Sequence, residues 1–506
     1  MTGTSRPVDR RSVLRGMLAA GAAATLGPAI NLSSAQAAGI TTGSYRIRFD
    51  QAARQTILGL GFEIQSDSIA SGNGGLPSTV SGVPYDLTAG ERTRFYQQML
   101  KAGRSDRGFR FCRLALGLYH RGVSADGKHL VDRYPGQTDL LAEMVSQAGV
   151  EGLMAEYWSP APGWKTNNSL VGQSADKKTN YGLTSFAPAD LDALGDAMVA
   201  DLDYLTAKGL KISYWGLQNE PDNGEDYSSC VYTAAQYRDT FKAVAPKIRA
   251  KYPNTIINAD SQYGWKGAYG QALLADPQAM GYVDNWTFHK IGTDSTGQIT
   301  TDYVTGAAGR PVFNNEFEYL NGAMTDWRCI NTAQSIMNWM TFQNSPTWFW
   351  LHALKPIGNS ESEGYSLGLW RPPGDTDFSA GHYPDLAAGH WQFNPRNWNA
   401  VSGFVKYLPW DSVRYHVEEP LHTDGSYYSE HRIMAWRTTS GKPVFALTNR
   451  SATEAYTYTV DSQTAAAFQG HRYGPATNDQ TLPSKTGPTL EITVPPLSVE
   501  FWVRTP

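Results

Sequence analysis

Read for the spacing of apolar and polar positions, the chain falls into two textures. From residue 56 to about 409, short apolar runs alternate with longer amphipathic stretches. The runs are TILGLGFEI (56–64), GFRFCRLAL (108–116), EGLMAEYW (151–158), KISYWGLQ (211–218), TIINAD (255–260), VDNWTFH (283–289), PVFNNEF (311–317) and PTWFWLHAL (346–354). Between them lie segments such as ADLDALGDAMVADLDYLTAKG (189–209), which carries a helical period and ends in Lys208-Gly209, as a helix stop does. Eight such runs separated by helical stretches predict an α/β fold, a (β/α)8 TIM barrel. In that architecture functional groups stand at the C-terminal ends of the strands. After residue 409 the helical period disappears. HRIMAWRT, KPVFALTNR, EAYTYTV, LEITVPP and SVEFWVR are short alternating runs separated by turn residues, which predicts an antiparallel β-sandwich. A solitary strand pattern, SYRIRFD (44–50), precedes the barrel and is expected to pair with the sandwich. The expected organisation is therefore a leader at 1–37, a linking strand at 38–55, a barrel at 56–409 and a sandwich at 410–506.

The leader carries its own signal. Arg10 and Arg11 precede Ser12, Val13 and Leu14, a short Ala/Gly/Leu-rich stretch follows, and Ala35-Gln36-Ala37 forms a small-residue cleavage site. The arginine pair predicts twin-arginine export, a mature chain beginning near Ala38, and a secreted protein with no membrane anchor after cleavage.

Composition narrows the partners. Against 47 Asp and Glu stand 43 Lys and Arg, a net charge of -4, so no basic excess points to nucleic acid. Fifteen Trp and 27 Tyr supply flat faces of the kind sugars stack on, although most such rings simply pack. Three cysteines, Cys112, Cys230 and Cys329, are too few for a disulfide framework. Cys112 lies in an apolar run, and a Cys230–Cys329 bridge is open. No Cys/His spacing resembles a zinc site, no metal or other cofactor is called for, and a monomer is expected.

Candidate chemistry begins at YWGLQNEPDN (214–223), where a strand runs into Asn219, Glu220 and Pro221. A carboxylate at the end of an apolar run is costly to desolvate unless it has a use. Glu316 ends the seventh strand candidate as Glu220 ends the fourth, and across a barrel mouth the two face one point. Paired carboxylates there are what glycoside hydrolysis requires, one as acid/base and the other as nucleophile or base. A salt-bridge role is the plain alternative for either, and Glu318 competes with Glu316.

On these residues a family resemblance rests. GLQNEP (216–221) resembles the acid/base motif of retaining glycosidases that place two Glu residues on strands four and seven. AEYWSPAPGWKTN (155–167) is similar to the third-strand segment of glycoside hydrolase family 30, and RNWNAVSGFVKYLPWDSVRY (396–415) to that family's passage from barrel into sandwich. The resemblance runs in order over most of residues 56 to 506, close only at these motifs. It implies that Glu220 is the acid/base and Glu316 the nucleophile, that Asn219 binds the sugar 2-hydroxyl, and that Arg113 holds the nucleophile ionised. It further implies that Trp158 and Trp350 wall the subsite and that His289 is a site residue. Departures fall at His120, where the family often has an Asp gripping outer hydroxyls, at Glu156 and Tyr157, where Ser and Pro are usual, and at HKIG (289–292) in the sixth strand. These put the sugar in question, and His120 becomes a candidate specificity residue. The function expected is a secreted retaining glycosidase acting on a β-linked carbohydrate, with GNGGLPSTVSGVPYDL (72–87) deciding endo or exo action. The alternative is a non-catalytic carbohydrate-binding protein on the same scaffold; an esterase is weaker, since no G-x-S-x-G elbow is present.

Overall fold

The structure is a computed structural model that describes residues 41–64, 87–104, 107–263, 267–289, 307–319, 326–356, 362–371, 385–419 and 431–505. The expected leader (1–37) and nearly all of the loop at 72–87 lie outside the described residues.

Eight parallel strands form one sheet in chain order: Gly59–Ile64, Phe111–Leu116, Gly152–Tyr157, Ile212–Gly216, Ile256–Tyr263, Asn285–His289, Val312–Glu316 and Thr347–Trp350. These are called barrel strands one to eight. Strand eight pairs with strand one, and a bridge between Phe317 and Trp350, with Leu351 N–H donating to Phe317 O at 3.0 Å, brings strands seven and eight together. The chain thus closes the TIM barrel that the alternating runs predict.

Two runs are shorter in the barrel than the sequence suggests. Residues 56–64 split, because Gln55–Ile57 pairs antiparallel with Ser412–Tyr415 of the β domain and only Gly59–Ile64 enters the barrel. Likewise 346–354 divides after Trp350, and His352–Pro356 leaves to pair with Ser366–Trp370 in a small outer sheet.

Alternation along the strands fills the barrel in layers. Phe111, Met154, Tyr214, Phe313 and Phe349 form an apolar floor. Two residues further along their strands, on the same face and one layer higher, stand Arg113, Glu156, Gly216 and Asn315. Gly61 is needed at the floor, since a Cβ there would lie 2.2 Å from the Phe349 ring. At Gly216 a Cβ would lie 2.6 Å from Glu156 Oε1, so this glycine makes room for that carboxylate.

The β domain has two sheets around one core containing Ile47, Phe445, Leu447, Tyr458, Ile492 and Trp502. One sheet runs Val417–Glu418, Thr42–Ile47, Tyr456–Asp461, Thr489–Val494; the other contains His431–Arg437, Pro443–Asn449, Ser498–Arg504 and Ala467–Gly474. The N-terminal strand does pair here, but parallel to Tyr456–Asp461. This corrects the all-antiparallel expectation: a strand arriving from the far end of the chain needs no hairpin and is free of the antiparallel constraint. Helix Arg328–Phe342 carries Gln334, whose Nε2 donates to Thr448 Oγ1 at 3.1 Å, tying the barrel to this domain.

All three cysteines are buried free thiols. Cys329 lies inside helix Arg328–Phe342, and the Cys230–Cys329 bridge that the sequence left open is not formed. Among the described residues no helix is long and apolar enough to cross a membrane.

Candidate active site

At the C-terminal mouth of the barrel the strand ends converge on Arg113, which is wholly buried. Its Nη1 donates to Glu316 Oε2 at 2.7 Å and also to Glu63 Oε2. Its Nε donates to Glu156 Oε2 at 2.7 Å, and Nη2 donates to Asn219 Oδ1 at 2.6 Å. The guanidinium also lies 4.5 Å from the centre of the Trp158 ring. Burial opposes its charge, but Glu156, Glu63 and Glu316 outweigh burial and hold Arg113 ionised.

Local backbone departures aim the remaining groups. In strand seven Asn315 is an extra residue opposite the sixth strand, so that Glu316 pairs with His289 and both Asn315 and Glu316 turn to the mouth. In strand five Ser261 is the extra residue, and Asp260 and Ser261 have φ of 80 and 56. Glu220 has φ 44, a left-handed conformation that costs a non-glycine residue energy, and it is held there by its own N–H donating to Ser261 O at 3.0 Å. Three strained residues around one carboxylate pair is the pattern of a site whose geometry is imposed by its surroundings.

His289 joins the two carboxylates. Its Nδ1 lies 2.9 Å from Glu220 Oε1, and its Nε2 lies 3.2 Å from Ser261 Oγ, 3.4 Å from Arg113 Nη2 and 3.6 Å from Glu316 Oε2. Arg113 can only donate, so in the neutral ring Nε2 is the acceptor and the proton sits on Nδ1, donating to Glu220. In the charged ring Nε2 carries a proton as well and becomes a donor, facing Ser261 Oγ and Glu316 Oε2. Burial lowers the pKa of His289, but Glu316 and Glu220 outweigh it and raise it above the ordinary value. Asn223 Nδ2 donates to Glu220 Oε2 at 3.0 Å, and Asn315 Nδ2 donates to Ser261 Oγ at 2.9 Å.

The structure therefore brings together Arg113, Trp158, Asn219, Glu220, His289 and Glu316. The hydrogen bonds of Arg113 single out Glu316 rather than Glu318. Two of the expected site residues lie elsewhere. His120 is buried behind the second strand, with Nε2 3.3 Å from Thr138 Oγ1 and 3.4 Å from Asp132 Oδ1 and its ring against Tyr204 of helix Pro188–Thr206. It follows a turn at Gly117–Tyr119 that carries it off the barrel axis and into the helical layer. Trp350 is fully buried on the face opposite Phe349, its Nε1 donating to Tyr365 O at 3.0 Å and its ring 5.4 Å from that of Phe317. Strand alternation, with Phe349 in the floor, assigns Trp350 to packing.

Sequence reasoning missed Glu63, Ser261 and Asn315. Glu63 gave the same signal as Glu220, a carboxylate at the end of an apolar strand. Ser261 gave none, since the fifth strand runs on to Tyr263 past its expected end at Asp260. The ligand atoms of Glu220, His289 and Glu316 lie within 4.8 Å of one another, a set able to take a divalent cation.

No protein-family model matches the chain. Solved structures do. The catalytic domain of GH30 xylanase C from Talaromyces cellulolyticus superposes with a TM-score of 0.66 at 17% identity, covering 92% of this chain and 100% of that one. The glycoside hydrolase family 30 subfamily 8 xylanase Xyn30A from Clostridium acetobutylicum gives 0.64 at 18% identity, with 92% and 100% covered. The endo-β-1,6-glucanase BT3312 gives 0.62 at 15%, with 91% and 93% covered. The chain has the fold of these glycosidases. Barrel and β domain are both included in that likeness, given how much of each chain is covered.

Proposed function

We propose that the protein is a retaining glycoside hydrolase that cleaves β-glycosidic bonds in a polysaccharide or its fragments. The observation that carries this reading is the pairing of Glu220 and Glu316 after strands four and seven, with one oxygen of each carboxylate within 4.8 Å of the other. Retaining enzymes hold their two carboxyl groups about 5–5.5 Å apart, whereas inverting ones leave about 6.5–9.5 Å for a water. The xylanases and the glucanase that share the fold are in keeping with a carbohydrate substrate.

In this reading Glu316, oriented by the hydrogen bond from Arg113 Nη1, attacks the anomeric carbon while Glu220 gives its proton to the departing glycosidic oxygen. Glu220 then takes a proton from the water that releases the sugar. Asn219 has its Oδ1 occupied by Arg113, which turns its amide N–H groups to a sugar hydroxyl. The arginine pair at 10–11 and the Ala-Gln-Ala site support export by the twin-arginine route, with the enzyme acting outside the cytoplasm.

The test is the anomeric configuration of the first-formed product, followed by NMR on a panel of β-glycosides. The β anomer is expected. Glu316→Ala should lose nearly all turnover, while Glu220→Ala should retain the first step on aryl glycosides with good leaving groups and yield a β-glycosyl azide when azide is added. An α-configured first product would overturn the proposal.

A further inference from the structure

A second polar site lies where the β domain meets the barrel. A cavity of about 540 Å³ there is bordered by Arg54, Asn344, Arg414, His416, Glu418 and Glu419, with apolar side chains completing the wall. A water takes about 30 Å³ of liquid, so the space is ample for an oxyanion with its hydration or with a small organic body.

The charges around this cavity do not balance. Glu418 is paired with Arg48, and Glu419 Oε2 accepts from Arg432 Nη1 at 2.9 Å, so both acids are engaged. Arg414 is only 5% exposed, and its hydrogen bonds go to neutral groups: Nε to Gln55 Oε1 at 3.2 Å and Nη2 to Asn344 Oδ1 at 2.8 Å. Among the described residues its Nη1 has no hydrogen-bond partner and no carboxylate forms an ion pair with it. Burial, with Arg54 and Arg432 nearby, pushes Arg414 down to about 10. Arg54 stands at the exposed rim, adjacent through the bond from its N–H to Arg414 O at 2.8 Å, and is in no ion pair among the described residues either. A buried guanidinium without a counter-charge is costly, and its planar fork of donors matches oxyanions.

We propose that this cavity is an anion site, taking a small oxyanion (sulfate, phosphate or a carboxylate) between Arg54, Arg414 and His416. The occupant would join the segment entering the β domain to the end of helix Arg328–Phe342, so that binding strengthens the contact between barrel and β domain. This inference stands apart from the reading of the catalytic cluster.

The test is thermal unfolding and titration calorimetry of the purified full chain with sodium sulfate in one arm and sodium acetate in another, each against sodium chloride at matched ionic strength. Sulfate also stabilises proteins generally by exclusion from their surface, but that effect grows steadily with concentration and does not saturate. A saturable rise in Tm of about 2–4 °C, with a heat of binding, is expected in at least one arm. Sulfate alone would assign the site to tetrahedral oxyanions and acetate alone to carboxylates. Arg54→Gln, at the exposed rim, should weaken binding by about tenfold, the scale of one charge-assisted hydrogen bond, and Arg414→Gln should abolish it. No saturable rise in either arm, or unchanged binding in Arg54→Gln and Arg414→Gln alike, would overturn the proposal.

Discussion

Glu63 and Glu316 accept hydrogen bonds from the same nitrogen of Arg113, Nη1. The residue that neutralises the nucleophile candidate is thus shared with a second carboxylate deeper in the barrel. Burial is the largest influence on Glu63 and raises its pKa; Arg113 pulls the other way, and Glu316 and Glu156 push it up again, leaving it well above the ordinary value. In the unfolded chain a glutamate loses its proton near about pH 4.3, whereas folded Glu63 keeps it to higher pH. Above that point the unfolded state binds fewer protons, so this group's contribution lowers stability as pH rises toward the folded pKa. Glu63→Gln keeps the shape and removes the titration. Urea melts should find it more stable than the parent by about 1–3 kcal/mol near pH 8, with the margin shrinking near pH 4. An equal margin at both pH values would show that Glu63 is not held protonated.

Arg113 reaches four partners because a planar guanidinium presents five donors in a fixed fork. Lysine offers a point charge that cannot span Glu63, Glu156, Glu316 and Asn219 at once. Arg113→Lys should therefore keep the net charge yet lower kcat/KM by about 10²–10³-fold, the scale of losing a preorganised electrostatic contact. Circular dichroism shows whether the fold survives the change. Activity within threefold of the parent in a folded variant would mean that charge alone suffices at this position.

His120 has a structural role in its observed place. With Nε2 toward Thr138 and Asp132 and its ring against Tyr204, it links the segment after strand two to the helical layer. His120→Ala should cost about 1–3 kcal/mol of stability, the range for a lost buried hydrogen bond plus a cavity, while leaving the ranking of sugar substrates unchanged. Thermal melts beside a glycoside panel separate the two effects, and an altered ranking at unchanged stability would return His120 to the sugar site.

The difference between what the sequence disclosed and what it concealed has a physical basis. Apolar runs of strand length between helical periods define a barrel without knowledge of any contact, and Glu220 and Glu316 stand out because a carboxylate at the end of such a run demands a use. Alternation beyond a strand's end is less legible. Trp350 belongs to the same face as Trp348, and only the position of Phe349 in the floor reveals which face that is. Bulges conceal most. An extra residue at Ser261 or Asn315 reverses which side chain meets the mouth, and no spacing rule anticipates it. His120 leaves the mouth for a similar reason, since the turn at Gly117–Tyr119 ends the regular alternation of strand two before His120 is reached.

Ser261 joins the two halves of the candidate site through two different atoms. Its carbonyl oxygen accepts from Glu220 N–H at 3.0 Å, and its hydroxyl lies 3.2 Å from His289 Nε2 while accepting from Asn315 Nδ2 at 2.9 Å. With Asn315 donating to the hydroxyl oxygen, the hydroxyl proton is free to point at His289 Nε2. That contact favours the ring form whose remaining proton is on Nδ1, directed at Glu220 Oε1. Ser261→Ala removes the hydroxyl and leaves the carbonyl. The backbone hold on Glu220 should persist, while the preference for the Nδ1–H form weakens. Loss of one such hydrogen bond is worth about 1 kcal/mol, so kcat/KM should fall roughly fivefold. The more decisive measurement is ¹⁵N NMR of histidine-labelled protein, with the His289 signals assigned by His289→Ala. Parent protein should show Nδ1 protonated, and Ser261→Ala should show a mixture of forms at the same pH. A predominantly Nε2–H neutral ring in the parent, or identical ¹⁵N shifts in parent and variant, would remove Ser261 from any part in orienting His289.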